Sequence, residues 1–343
     1  MSTTSAVVVY GATGHTGRFL VAELTRRGIA VIASGRNADQ LAKLATEWPE
    51  VDVRAATVDD PAALDRALAG AAAVVNAAGP FAVTAGPVVE AALRAGIPYV
   101  DVAAEIEANA AMFADYAEAA AAAGVPVVPA MAFYGGLGDL LVTAALGGRT
   151  AADEVHVAYG LSSWHPTEGT REAGRVSHDR RAGRRVRFAD GALQYHEDAP
   201  VQQDWDFPEP LGRRAVVAEF TMADVVTVPS HLDVPSVTTY MSAEAARDLS
   251  GADTPAPEAV DEQGRSDQTF FVDVLIRTGG EELRADVRGQ DIYAITAPLA
   301  AEAVQRILDG RVRTTGVASA GAAFDAADFL GALGEHLVVR LPG

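Results

Sequence analysis

The chain has 343 residues and carries 27 Lys+Arg against 46 Asp+Glu, a net charge of −19, with no cysteine and one lysine, Lys43. These counts exclude disulfides, thiolate metal centres and thiol nucleophiles. So acidic a chain also argues against nucleic acid or an anionic membrane surface as a partner, because both are held by Lys/Arg neutralisation.

An apolar fraction of 49% is enough for a real core. The length suggests about two domains at ~150 residues each. Met1–Ser5 has no basic residue, and the apolar run Ala6–Tyr10 is too short for a secretion signal or a membrane span. A soluble, cytoplasmic protein is the expectation.

The first part alternates short apolar runs with amphipathic stretches. Strands are predicted at Ala6–Tyr10, Ala30–Ser34, Asp52–Thr57, Ala73–Ala77, Tyr99–Val102 and Val125–Pro129. Helices are predicted at Arg18–Arg27, Ala38–Glu47, Pro61–Ala69, Gly86–Ala95 and Ile106–Ala123. Buried strands alternating with helices specify βαβ units and a doubly wound parallel sheet.

The pattern changes near residue 150. Glu154–Ser162 reads as a strand, and Arg184–Phe188 with Ala192–His196 flank Asp190–Gly191 as a hairpin. Val225–Val228, Val237–Met241 and Thr269–Arg277 read as further strands, the last turning at Gly279–Gly280 into Glu282–Arg288. Ala252–Asp267 has the composition of a mobile loop or lid. Helical pattern returns at Pro298–Leu308 and Phe324–Leu333. The expected division is 1–150 for the dinucleotide domain, 151–288 for a β-rich α+β insertion, and 289–343 for a helical segment returning to the first domain.

Gly11-Ala-Thr13-Gly14-His15-Thr16-Gly17 follows the first strand and opens the first helix. Glycines there let the backbone turn tightly and approach a pyrophosphate, and the helix start offers free N–H groups to it. The second strand ends Ser34-Gly35-Arg36-Asn37, with an arginine where NAD sites place a carboxylate. That favours a 2′-phosphate and hence NADP(H). Asp59 and Asp60 follow the third strand at the adenine position, where they either contact the cofactor or cap the helix beginning at Pro61. Ala77, Ala78, Gly79 and Pro80 close the fourth strand with small residues over which a cofactor can lie. Asp139 reads as a helix cap.

Candidate proton donors or substrate-orienting groups are Tyr134, Asp101, Glu105 and His178. Tyr134 is equally readable as a packing aromatic. None of the eight tyrosines has a lysine four residues on, so the lysine-assisted tyrosine mechanism is absent. Thr170–Arg187 holds Arg171, Arg175, Arg180, Arg181, Arg184, Arg185 and Arg187. It is a candidate for binding a substrate carboxylate or phosphate, or the cofactor 2′-phosphate, weighed against a solvated hairpin approach paired to the acidic surface or an oligomer contact. Trp164 and Trp205 are candidates for a pocket lining, or for core. The histidines are scattered, and no metal site is expected.

The chain resembles the saccharopine dehydrogenase-like oxidoreductases. The match runs through Gly11–Arg18, Ser34–Asn37, Val75–Phe81, Gly96–Val102 and Gly135–Leu140, then Gly289–Ala297 and Gly321–Leu330. The resemblance implies a Rossmann domain with an inserted substrate domain. It also implies an NADP(H)-linked reductase of an imine or activated C=C bond in a small metabolite. The competing expectation is a non-catalytic NADP(H) sensor. A homodimer is expected by analogy.

Overall fold

The computed structural model describes residues 6–342. The first half lays down β1 (Val7–Tyr10), α1 (His15–Arg26), β2 (Val31–Gly35), α2 (Ala38–Glu47), β3 (Asp52–Ala55), α3 (Pro61–Leu68) and β4 (Ala73–Asn76). It continues with α4 (Phe81–Ala95), β5 (Tyr99–Asp101), α5 (Ile106–Asp115), α6 (Ala117–Ala123), β6 (Pro126–Val128), a π-turn at Phe133–Leu137 and α7 (Gly138–Leu146). With β15 (Gly316–Val317), the strands form a seven-stranded parallel sheet in the order β3-β2-β1-β4-β5-β6-β15.

Both faces of this sheet are covered. On β1, Val7 and Val9 join one core while Val8 and Tyr10 join the other. That is why the strand reads as an unbroken apolar run rather than an alternation. The strand order reverses between β1 and β4, which opens a crevice at their carboxyl ends.

The second half supplies β7 (Glu154–Leu161), α8 (Glu168–Arg180), β8 (Arg185–Ala189), β9 (Ala192–His196), β10 (Gln202–Asp206), β11 (Arg213–Ala218) and α9 (Asp224–Thr227). Then come β12 (Val237–Ser242), α10 (Ala243–Ser250), β13 (Thr269–Thr278), β14 (Glu281–Gln290), α11 (Thr296–Leu308), α12 (Ala320–Ala323), α13 (Ala326–Ala332) and β16 (Val338–Arg340). A nine-stranded mixed sheet runs β10-β11-β12-β7-β13-β14-β16, with the β8–β9 hairpin attached to β12. The β12–β7 pair is parallel and the other ladders are antiparallel.

After β14 the chain returns to the first sheet, adds β15 to β6, and comes back to pair β16 with β14. A buried ion network ties α1 to α11. Arg27 bridges Glu23 at 2.7 Å and Glu302 at 2.6 Å, and Glu302 also holds the fully buried Arg306 at 2.8 Å.

The hairpin turns at Asp190 and Gly191 with φ of 53° and 74°, the left-handed pair that a two-residue turn requires. Four expectations need correction. Val225–Val228 is not a strand: those residues fall in α9 and the short 3-10 turn after it, packed against α5 and β8. The predicted Ile106–Ala123 helix breaks at Tyr116, leaving α5 and α6. The arginine-dense stretch begins as a helix, α8, capped by Thr167 Oγ1 on the Thr170 N–H at 3.1 Å. Within it, Arg175 pairs with Glu172 and Asp179, the spacings that stabilise a helix face. The Ala252–Asp267 loop is anchored, with Arg171 donating to the Gly251 and Thr254 carbonyls and Ser266 bonded to Asp291.

Candidate functional site

The glycine loop is shaped by what surrounds it. Gly11 has φ +87°, and a Cβ there would lie 2.7 Å from the Ala78 nitrogen. At Gly17 a Cβ would overlap the Gly11 carbonyl. The first and third glycines are therefore set by packing of the loop against β4 and against itself. Ser34 contributes through its backbone, whose carbonyl accepts the N–H groups of Gly11 at 2.8 Å and Ala12 at 3.1 Å. Its side chain is fully buried and donates to the Arg54 carbonyl at 2.7 Å, so it is not a cofactor ligand.

The first intrahelical bond of α1 runs from the Arg18 N–H to the Gly14 carbonyl. The N–H groups of His15, Thr16 and Gly17 precede it, and no side chain caps them. Uncapped donors at the positive end of a 12-residue helix suit a phosphate. Thr13, exposed His15 and Thr16 border that opening, and Gly14 leaves it free of side chain.

Arg36 is exposed and has no hydrogen bond or ion pair among the described residues. Arg36 and the exposed Asp59 both lie within electrostatic reach of the Tyr10 hydroxyl. Asn37 caps α2 through its side-chain oxygen on the Gln40 N–H at 3.0 Å, and Asp60 caps α3 on the Ala63 N–H at 3.0 Å. Ala77, Ala78, Gly79 and Pro80 line the β4 end, and the Ala77 N–H is held by the Tyr10 carbonyl at 2.8 Å.

The fit to a 2′-phosphorylated dinucleotide is good. There is an uncapped helix start, a loop whose glycines sit where a Cβ has no room, and a free guanidinium after β2.

Residues 7–128 match the family described as the saccharopine dehydrogenase NADP binding domain. The first domain is similar to that family over those residues. Its cofactor is NADP(H). A saccharopine dehydrogenase-like oxidoreductase of Rattus norvegicus is 30% identical over 145 residues, 37% of this chain and 34% of that protein. The trans-acting enoyl reductase of Mycobacterium ulcerans is 30% identical over 109 residues, 29% of this chain and 25% of that protein. The matches thus span about a third or less of these relatives. The apo saccharopine dehydrogenase (L-Glu forming) of Saccharomyces cerevisiae superposes with a TM-score of 0.65 at 13% identity. That superposition covers 98% of this chain and 99% of the other, so the two-domain fold is shared.

Beyond the NADP-binding loop, the strand ends carry buried polar chemistry. Asp101 is not positioned for proton transfer to a substrate. It is 1% exposed and accepts from the Tyr99 hydroxyl at 2.9 Å and from the N–H groups of Ala103 and Ala130. Burial pushes its carboxyl up to about 6. Its work is to tie the end of β5 to the chain leaving β6. Glu105 clamps the start of α4 by accepting from the Phe81 and Ala82 N–H groups at 2.7 and 2.9 Å.

Tyr134 lies in the π-turn after β6, and its hydroxyl is buried without a partner among the described residues. Its ring stacks on Trp164 at 5.2 Å and meets Tyr159 at 5.0 Å. Burial pushes its hydroxyl well above the ordinary range. His178 does not join this group; it is exposed on α8, packed near Gly183. Asp139 is not a cap. It is fully buried, bonded to His231 Nε2 at 2.7 Å, and accepts the Gly321 N–H at 2.7 Å.

Helix α8 packs against α4, α5 and the segment entering α11. At its start, Thr167 and Thr170 bond Tyr293. Near its end, Ser177 and Arg181 face Glu107 of α5. Most of the arginine-dense stretch is already paired. Arg171 and Arg185 donate to backbone carbonyls, Arg187 pairs with Asp198 and Glu219, and Arg184 lies over the Tyr195 ring. Arg180 has no ion pair among the described residues and stands within electrostatic reach of Glu105. The groups that sequence reasoning missed are Asp224, Tyr159 and Tyr293. Tyr293 falls within the Gly289–Ala297 match, but no spacing assigns any of the three a role, because their partners come from remote parts of the chain.

Proposed function

We propose that the protein is an NADP(H)-dependent oxidoreductase that reduces a C=N or activated C=C bond in a small metabolite. The observation that carries this reading is the NADP-binding cleft with a second-domain helix, α8, beside it. Bound NADPH supplies a hydride. The chain's own residues bind, orient and exclude water. The loop from Gly11 to Gly17 holds the pyrophosphate on backbone N–H groups, and Arg36 pairs with the 2′-phosphate. Asn37, Asp59 and the Ala77–Pro80 turn border the adenosine and the nicotinamide end. The orphaned Tyr134 hydroxyl is the first candidate to donate a hydrogen bond to substrate, since an unpaired buried hydroxyl costs about 1–3 kcal/mol.

No lysine assists it: Lys43 is exposed on α2, on the adenosine side of the sheet. An imine arrives already protonated near neutral pH and needs the least acid catalysis, so it is the favoured substrate class. Arg180, unpaired near the α4 start, is the candidate for a substrate anion.

A second reading, a non-catalytic NADP(H) sensor, is favoured by one observation. Tyr134, Trp164 and Phe220 pack together over the strand ends where a substrate would sit. Calorimetric titration with NADPH and NADH, followed by NADPH oxidation with cyclic imines and with enoyl thioesters, separates the readings. Tighter NADPH binding with turnover of either class supports the reductase. Tight NADPH binding with no turnover supports the sensor, and preferential NADH binding overturns the role given to Arg36.

A further inference from the structure

The segment Gly289–Ala297 has no role so far. It leaves β14 at Gln290 and enters α11 at Thr296, crossing from the second sheet to the first beside the glycine loop. Asp291 fixes this crossing. Its 1% exposed carboxylate accepts from the Tyr293 and Ala294 N–H groups at 2.9 and 3.0 Å, and from the Ser266 N–H and hydroxyl at 2.7 and 2.9 Å.

Tyr293 is thereby held with two different neighbours. Its ring meets the imidazole of His15 edge-on, with centroids 5.3 Å apart and planes at 88°. His15 is the first residue of α1, and its ring also meets Phe19, with centroids 5.3 Å apart. The Tyr293 hydroxyl faces the opposite way. It accepts from Trp164 Nε1 at 3.3 Å and the Thr167 N–H at 3.3 Å, and it shares a hydrogen bond with the Thr170 hydroxyl at 3.0 Å. Thr167 caps α8, and Trp164 stacks on Tyr134.

We propose that Tyr293 is the positioning residue through which cofactor binding at the glycine loop sets α8 beside the cleft and Trp164 against Tyr134. The proposal rests on the NADP(H) reading above. The physical path is short. An anion on the first-turn N–H groups of α1 orders the His15 backbone. The His15 ring is packed against Phe19 and Tyr293, so ordering the loop orders the tyrosine ring. The same phenol anchors the α8 cap and the indole, so the second domain feels the same restraint. Partial desolvation of the ring lowers the His15 pKa, which keeps the imidazole beside Tyr293 neutral near neutral pH.

The test uses the full chain and NADP⁺ as the probe, with tryptophan emission and calorimetric affinity read in parallel. In the wild type, NADP⁺ changes the emission, and Trp164→Phe abolishes that change while Trp48 and Trp205 remain. Tyr293→Phe keeps the ring on His15 and removes the hydroxyl hub. It is expected to hold NADP⁺ affinity within about threefold while losing most of the emission change. Tyr293→Ala removes the ring contact as well and weakens NADP⁺ about fivefold, the scale of one lost aromatic pair. Thr170→Val cuts the hub from the α8 side and diminishes the emission change, and it decides the matter if Tyr293→Phe does not fold. A wild-type emission change in both Tyr293→Phe and Thr170→Val overturns the proposal, as does an emission change that survives in Trp164→Phe. A wild type that does not bind NADP⁺ at all fails the cofactor reading itself and takes this proposal with it.

Discussion

The Tyr159 hydroxyl meets both carboxylate oxygens of Asp224 at 2.9 Å. Asp224 is fully buried, and any side chain at Gly138 would overlap its carboxylate. Thr227, in the same short helix, donates to the Gly135 carbonyl at 3.1 Å. The turn that carries Tyr134 is therefore wrapped around a buried acid supplied by the second domain.

Burial raises the Asp224 carboxyl from 3.8 to about 7. The folded state then binds the proton more tightly than the unfolded chain does. The contribution of Asp224 to stability is largest below pH 4 and is lost as pH rises through 7. An amide at this position keeps a hydrogen bond to Tyr159 without titrating. Asp224→Asn should therefore gain on the wild type in stability as pH rises from about 4 to about 8, by a few kcal/mol at most, with a parallel rise in relative melting temperature. Melting curves across that range check it, and a pH-independent difference would show that Asp224 does not titrate there.

Arg36 is exposed and free of protein partners, so its substitution should spare the fold. Arg36→Ala should weaken NADPH about tenfold or more, the scale of a charge-assisted hydrogen bond, and leave NADH nearly unchanged. Arg36→Asp should shift preference toward NADH. Paired titrations with the two cofactors read the ratio directly; equal losses for both would mean that Arg36 does not read the phosphate.

Gly11 combines a φ of +87° with contact against the Ala78 backbone. Gly11→Ala should cost about 1–2 kcal/mol for the left-handed backbone alone, and more for the overlap. NADP⁺ affinity should fall by more than about tenfold as the loop moves off β4. Differential scanning calorimetry and an NADP⁺ titration measure the two effects separately.

Glu105 holds the first two N–H groups of α4 on one carboxylate. Glu105→Ala leaves both donors unpaired, that of Phe81 buried, and should destabilise the fold by about 1–3 kcal/mol. Glu105→Gln keeps one acceptor and should lose about half of that. Chemical denaturation midpoints at constant m-value distinguish this from a change in compactness.

The first sheet was readable because its strands are buried on both faces and punctuated by glycine turns. The edge of the second sheet was not. Gln202–Asp206 contains one aromatic among polar residues and is mostly exposed, so it gives no apolar signal, yet it forms β10. Val225–Val228 looked like a strand because four residues of a helical turn can be as apolar and β-branched as a strand. At the site, the glycine loop and Arg36 lie in one contiguous motif and could be read. The Asp224–Tyr159 pair spans 65 residues, and the contact from His15 to Tyr293 spans two domains. Such pairings are properties of the tertiary packing, and no local spacing encodes them.

The return of β16 to β14, after β15 has joined β6, means that the backbone is stitched through both sheets in turn. Neither half can be lifted off by cutting one connection. A single nick in the 252–267 loop should leave two fragments that travel as one particle and part only in denaturant. The double crossing accordingly opposes wide separation of the two sheets.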